Sequence, residues 1–165
     1  MHNLYEGYFP YLLKLWKDDK RVDLEAIDRE WCKQRLPYFT HKNCRSIMGN
    51  LGYLSSFEIY MLFHYFHSLF IDHMPSDLYT QVKNVIETAS RLSQPLYRSE
   101  TFILDETLIE CVEEHERLYK SDSCTLNVHF LTHLSQCTRN HGPLPLYSAF
   151  LFEGTIKSFV SHLHT

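Results

Sequence analysis

Residues that turn a chain sharply are scarce in this sequence: 165 residues hold five glycines and six prolines. A many-stranded sandwich or barrel needs a turn signal every eight to twelve residues or so, and this chain cannot supply them. Helices need far fewer breaks. With 44% hydrophobic and 22% charged residues the composition is globular, which sets aside disordered, collagen-like and low-complexity readings. The expected fold class is therefore mostly α, in a single helical domain over 1–165.

Apolar spacing divides the chain further. Leu4, Tyr8, Tyr11, Leu12, Leu15 and Trp16 recur at helical intervals and predict a first helix over Leu4–Trp16, within a segment 1–20, with Pro10 as a source of a kink. Segment 21–54 reads as a mostly irregular basic connector. It opens with a helix over Leu24–Gln34, capped by Asp23 and facing inward through Leu24, Ile27 and Trp31. Residues Leu36–Leu54 then contain Pro37, Asn43, Gly49, Asn50 and Gly52, with Thr40, His41, Lys42 and Arg45 expected at the surface, where they could touch a polyanion.

Segment 55–140 is the helical region. Ser55-Ser56-Phe57-Glu58 is a capping box, in which hydroxyl and carboxylate satisfy orphan backbone donors at a helix start. The buried apolar helix it opens is expected to end near Asp72, before His73-Met74-Pro75. Leu78, Val82, Val85, Ile86 and Ala89 predict a helix over Pro75–Leu92. Asp105 is read as the cap of a fifth helix, with Leu108, Cys111, Val112, His115 and Leu118 inward and Glu106, Glu110, Glu113 and Glu116 in water. A sixth, Leu126–Arg139, is closed by His141-Gly142-Pro143, and segment 141–165 ends in an amphipathic stretch from Phe150.

Charge excludes little by itself. The net charge is −4, and residues 1–50 hold nine Lys/Arg against seven Asp/Glu, while 51–165 hold seven against thirteen. This is not the field of a domain that binds nucleic acid through charge alone. Five cysteines, Cys32, Cys44, Cys111, Cys124 and Cys137, form no C-x-x-C pair and read as free thiols in a reducing, intracellular compartment. The longest uncharged apolar run, Ile59–Ile71, falls short of the roughly 18–20 residues that span a bilayer, so no membrane association is expected.

Eleven histidines are the compositional oddity. Within Asn127-Val128-His129-Phe130-Leu131-Thr132-His133, two of them stand at i and i+4 on one helical face, with Cβ atoms about 6 Å apart. Such a pair can share one zinc ion at about 2.0 Å each. Cys137 continues the row but rises about 12 Å above His129, too far for the same ion. The other reading is that both rings pack and hydrogen-bond in the core.

These residues also carry a resemblance. Thr125-Leu126-Asn127-Val128-His129-Phe130-Leu131-Thr132-His133-Leu134, then Gly142-Pro143-Leu144, then Tyr147-Ser148-Ala149-Phe150-Leu151-Phe152-Glu153, resembles the C-terminal region of CACTA (EnSpm-type) transposases. Phe57-Glu58 opening an aromatic helix and Met74-Pro75 before the next match the family's helical region. Met1-His2-Asn3-Leu4-Tyr5-Glu6-Gly7 looks like its D-x-M-H-x-x-x-x-G block, cut after the Asp. The resemblance spans nearly the whole chain and is weakest over 21–50.

What the resemblance implies is an RNase H-like DDE enzyme related to the catalytic subunit of the V(D)J recombinase, here reduced to a helical insertion region plus the terminal helix of a truncated core. In complete members two Asp and a Glu hold two magnesium ions about 3.5–4 Å apart, which activate the attacking oxygen and stabilise the leaving one during DNA strand cleavage and transfer. Glu153 matches the final acid; the plain alternative is a surface Glu opening the last helix. Neither Asp has a matching motif in these residues. His2 matches the last member of a short motif that joins the later His pair on zinc, which would make His2, His129 and His133 the ligands. Complete members usually place N-G-x-L-K after the Glu, whereas Glu153 here runs into Gly154-Thr155-Ile156-Lys157, and Lys157 is either a DNA-phosphate contact or a surface residue.

The implied location is nuclear and the implied partner is DNA, although the chain alone is expected to be inactive. The competing expectation is a non-enzymatic helical interaction or dimerisation module, which exposed aromatic surface would favour. A zinc hydrolase lacks support because no Glu follows His129 as in H-E-x-x-H.

Overall fold

The stripe Leu4, Tyr8, Leu12 and Trp16 is fully buried in the computed structural model, which describes residues 3–36 and 44–147. Pro10 changes how that stripe is wound. A π-helical turn, Asn3–Tyr8, precedes helix α1, Phe9–Asp18, with Pro10 in its first turn. Proline has no N–H to return to the Glu6 carbonyl, so the ladder is interrupted there and the wider turn takes up the mismatch.

Helix α2, Leu24–Trp31, starts as expected: the Asp23 carboxylate accepts from the Ala26 N–H at 2.9 Å, and Leu24, Ile27 and Trp31 are buried. It stops three residues before Gln34. There the Gln34 side-chain amide donates to the Glu30 carbonyl at 3.2 Å and ties off the last turn.

The basic connector is more ordered than its composition implies. A one-turn helix α3, Ile47–Asn50, is stitched to α2 because the Asp28 carboxylate accepts from the Ile47 N–H at 2.6 Å and from Ser46 Oγ at 2.7 Å. Arg45 is exposed, as expected, and is also engaged within the fold. Its Nε and Nη2 donate to the two Glu58 oxygens at 2.7 and 2.5 Å, and Nη2 also reaches the Tyr53 carbonyl at 2.8 Å. Thr40, His41 and Lys42 lie outside the described residues.

Helix α4, Ser56–Tyr65, carries the capping box: Glu58 N–H donates to Ser55 Oγ at 3.3 Å and Ser55 N–H to Glu58 Oε2 at 2.8 Å. The apolar run Ile59–Ile71 is not one buried helix, however. The chain tightens into a 3₁₀ turn, His67–Phe70, which sets Phe66 edge-on to Trp31 and Phe70 against Trp16 and Phe63. Tyr65 and Ile71 are left exposed.

Helix α5, Ser76–Leu92, buries Leu78, Val82, Val85, Ile86 and Ala89 as the spacing requires. Helix α6 spans Arg98–Tyr119 and begins seven residues before the expected Asp105 cap. The Glu100 carboxylate accepts from the Tyr97 N–H at 2.9 Å and closes that earlier start, while Asp105 sits inside the helix and pairs with Arg139. Leu108, Cys111, His115 and Leu118 do face inward, Val112 is half-buried, and Glu106, Glu110, Glu113 and Glu116 are in water.

A single sixth helix was expected, but Leu126–His141 is built from three pieces: α7, Leu126–His129; a 3₁₀ turn, Phe130–His133; and α8, Leu134–His141. Gly142 ends α8 at φ 85°, a conformation that glycine takes without strain. Further 3₁₀ turns cover Ser121–Ser123 and Leu144–Tyr147. Among the described residues the structure is mostly helical with no strand beyond an isolated bridge residue at Arg35, which agrees with the expected α class. The amphipathic stretch from Phe150 lies outside them.

The core is aromatic. Phe9 stacks on Phe63 with centroids 4.2 Å apart, and Trp16 meets Phe70 edge-on at 5.3 Å. Polar tips inside are tied: Trp16 Nε1 donates to Tyr119 Oη at 2.7 Å and Gln81 Nε2 to Tyr8 Oη at 2.9 Å. Helices α5 and α6 pack side by side, and α8 with its preceding 3₁₀ turn lies on α6.

Candidate metal centre

Val128, Leu131 and Leu134 are buried, so they fix which way the Leu126–His141 segment faces. His129 and His133 lie on the other side and both are exposed. The packed-core reading of the pair is therefore wrong. Their Nε2 atoms approach to 3.3 Å, with ring centroids 5.0 Å apart and planes at 80°. Two nitrogens held about 2.0–2.1 Å from a tetrahedral zinc stand about 3.3 Å from one another, so the separation fits one edge of a zinc site. It is long for a hydrogen bond between the rings. The α-to-3₁₀ change falls between the two histidines, and Thr132 Oγ1 donates to the His129 carbonyl at 2.8 Å across it.

A pair is only half of a zinc site. Among the described residues no group of three or more His, Cys, Asp or Glu side chains is placed to hold one metal ion. Cys137 is half-buried. Further ligands would have to come from elsewhere, and His2, Glu153 and Lys157 all lie outside the described residues.

The chain next to His2 meets the segment that carries the pair, at Asn127. Asn3 Nδ2 donates to the Asn127 carbonyl at 3.4 Å, two residues before His129. Gly7 packs so closely that a Cβ there would stand 2.9 Å from Asn127 Oδ1 and 3.0 Å from Asn3 Oδ1. Glu6, from the same turn, accepts a hydrogen bond from Ser56 Oγ at 2.6 Å. The Asn3–Gly7 stretch thus touches two others far away in sequence, at Ser56 and at Asn127. No periodicity announces such a meeting; the one legible trace is a glycine inside a helical pattern, at Gly7.

Two other histidines are internal. His64 stacks on Tyr60, and its ring nitrogens meet Tyr5 Oη at 2.6 Å and Ser90 Oγ at 3.0 Å. His115 is fully buried among Tyr8, Tyr11 and Tyr119, with the Ser123 carbonyl beside the ring. That carbonyl also accepts from Tyr11 Oη at 2.9 Å. Burial lowers both imidazoles to about 4; His67 adds to the effect at His64, and the Ser123 carbonyl partly opposes it at His115. They are neutral core groups away from the surface pair.

No helix among the described residues is long and apolar enough to cross a membrane. Compared with known proteins, the chain matches no family model, no curated protein and no solved structure.

Proposed function

We propose that the chain carries the helical insertion and final acidic segment of a CACTA-type DDE transposase, an RNase H-like enzyme that in complete form cleaves and transfers DNA strands in the nucleus. The observation that supports this best is the surface pair His129 and His133, 3.3 Å apart at Nε2, with the residue after His2 hydrogen-bonded to the Asn127 carbonyl in the same segment. The resemblance joins His2 to that pair on zinc, and one peptide unit separates His2 from Asn3. The role of the zinc is structural: it clasps the chain's first residues to the Leu126–His141 segment. With three imidazoles the fourth position is left for water or a further ligand.

In the complete enzyme, divalent magnesium held by two Asp and a Glu supplies the phosphoryl chemistry, and Glu153 is this chain's contribution. Lys157, one turn on, is placed by the resemblance to meet a DNA phosphate. With one of three acids in these residues, the chain by itself performs no strand cleavage.

Metal analysis and zinc titration of the intact chain test the reading. We expect up to one zinc per chain, lost in His129→Ala and in His133→Ala, weakened about 10- to 100-fold in His2→Ala, and unchanged in Cys137→Ser. Zinc uptake that ignores His2 would leave a bare surface pair and remove the structural support for the transposase reading.

A second reading has its own observation. Tyr53, Tyr65, Tyr97, Phe102, Ile103 and Leu126 are all more than half exposed. Apolar side chains of this size at the surface favour a helical interaction or self-association module. Concentration-dependent sedimentation of the zinc-free chain would support it.

A further inference from the structure

The exposed histidine pair has apolar neighbours. Leu126 stands three residues before His129 and four before Phe130, so the three share one side of α7 and its end, while Val128 and Leu131 face the core. The Phe130 ring lies 6.4 Å from that of His129 and 6.2 Å from that of His133. Leu126 is 65% exposed and Phe130 40%, although both are large apolar side chains.

Charge is missing from the same stretch. Ser123–Thr138 contains no Lys, Arg, Asp or Glu, in a chain whose residues are 22% charged. An ordinary outer face carries charge, as α6 does at Glu106, Glu110, Glu113 and Glu116. A surface that is apolar at its centre and depleted of charge has the composition of a protein contact, and two copies of it meet without repulsion between fixed charges.

The pair itself says what the second surface is. Its Nε2 atoms, 3.3 Å apart, span one edge of a zinc tetrahedron, and no third ligand joins them among the described residues. The opposite edge of a tetrahedron has the same length and is exchanged with the first by a twofold axis through the ion. An identical pair on an identical chain therefore completes the shell by symmetry, as an isologous dimer requires. We propose that His129 and His133 of two copies of this chain share one zinc ion through four imidazoles, with Leu126 and Phe130 of both copies packed around it. Coordination supplies much of the affinity, so a small apolar contact suffices. This inference uses the pair without resting on the transposase reading, since neither His2 nor Glu153 takes part.

Sedimentation of the intact chain in EDTA and during stepwise addition of zinc tests it. The chain should be monomeric in EDTA, and dimer formation should be complete at one zinc per two chains. His129→Ala and His133→Ala should each abolish the dimer, whereas His2→Ala, Cys124→Ser and Cys137→Ser should leave it intact. Leu126→Arg leaves the rings in place but sets like charges against each other across the contact, and should weaken the dimer about tenfold or more. Zinc uptake by a chain that stays monomeric would overturn the inference and leave the His2 site standing. A zinc dimer with unaltered zinc uptake in His2→Ala would support the inference and remove the support for the transposase reading. A dimer in EDTA, a zinc dimer lost in His2→Ala or in either cysteine variant, full dimer strength in Leu126→Arg, or no zinc uptake would each overturn it.

Discussion

His115 is fully buried and uncharged, beside the Ser123 carbonyl, so it costs stability in acid. Its pKa and that of His64 are lowered to about 4 in the fold against 6.5 when exposed. Between those values the unfolded chain binds protons that the folded chain refuses, so stability is full above about pH 6.5 and falls as pH drops towards 4. At about 1.4 kcal/mol per unit, each ring accounts for up to about 3 kcal/mol by pH 4. Glu58 adds to this at lower pH: burial alone would raise its carboxyl, but Arg45 and Ser55 hold it at about 2, so its contribution is lost as pH falls from about 4.5. We expect urea midpoints to decline steeply from pH 6.5 to 4. His115→Phe should flatten that decline and raise stability at pH 5 by about 1–2 kcal/mol, because it removes a ring that the unfolded chain protonates and the fold does not. A midpoint in His115→Phe lower than wild type at pH 5 would show that the contact with the Ser123 carbonyl outweighs the cost of burial. The histidine was legible in the sequence as an inward-facing member of the α6 stripe, but its surroundings were not, because they are set by which segments fold over it.

At the scale of elements, the spacing of apolar residues located α5 and the inward faces of α1 and α2, and the Ser55–Glu58 pattern located the start of α4. The breaks were misplaced wherever a contact distant in sequence decided them. Asp105 has the right chemistry for a helix cap, yet Arg139 from α8 takes its carboxylate and Glu100 closes the earlier start. The Leu126–His141 segment has helical periodicity throughout, yet a 3₁₀ turn interrupts it at Phe130–His133. Gly7 is the element-level test. Its missing Cβ lets the Asn3–Tyr8 turn lie against Asn127, whose side chain would otherwise be met at 2.9 Å. Because the opposing atoms are ends of asparagine side chains, Gly7→Ala should cost about 1–2 kcal/mol and not abolish folding. It should also weaken zinc uptake, by pushing the chain next to His2 away from the pair. Thermal unfolding and zinc titration of the same variant separate the two effects; normal stability with normal zinc affinity would mean that the close approach has no consequence.

For the whole molecule, the described helices enclose an aromatic core and set Asn3–Gly7 against Ser56 and Asn127. On the proposed transposase reading Glu153 is one of the three acids that a two-metal reaction needs in one place, and one carboxylate cannot hold two magnesium ions against water. Labelled DNA incubated with the chain and Mg²⁺ or Mn²⁺ should therefore remain unnicked. Reproducible cleavage abolished by Glu153→Gln would show that other acids complete the site.

Local information was enough to establish a helical chain, because scarce glycine and proline and a repeating apolar interval act within a turn or two of each residue. It was also enough to mark His129 and His133 as neighbours, since residues four apart share a face whatever surrounds them. Tertiary structure alone decided that this face is exposed, that Arg45 is engaged by Glu58, that Gly7 meets Asn127, and that the buried Gln81 amide ties Tyr8 to the Cys111 carbonyl. Each of these depends on residues 13 to 120 positions apart approaching within hydrogen-bond or contact distance, and such approaches follow from how helices share a core, which no interval along the chain encodes.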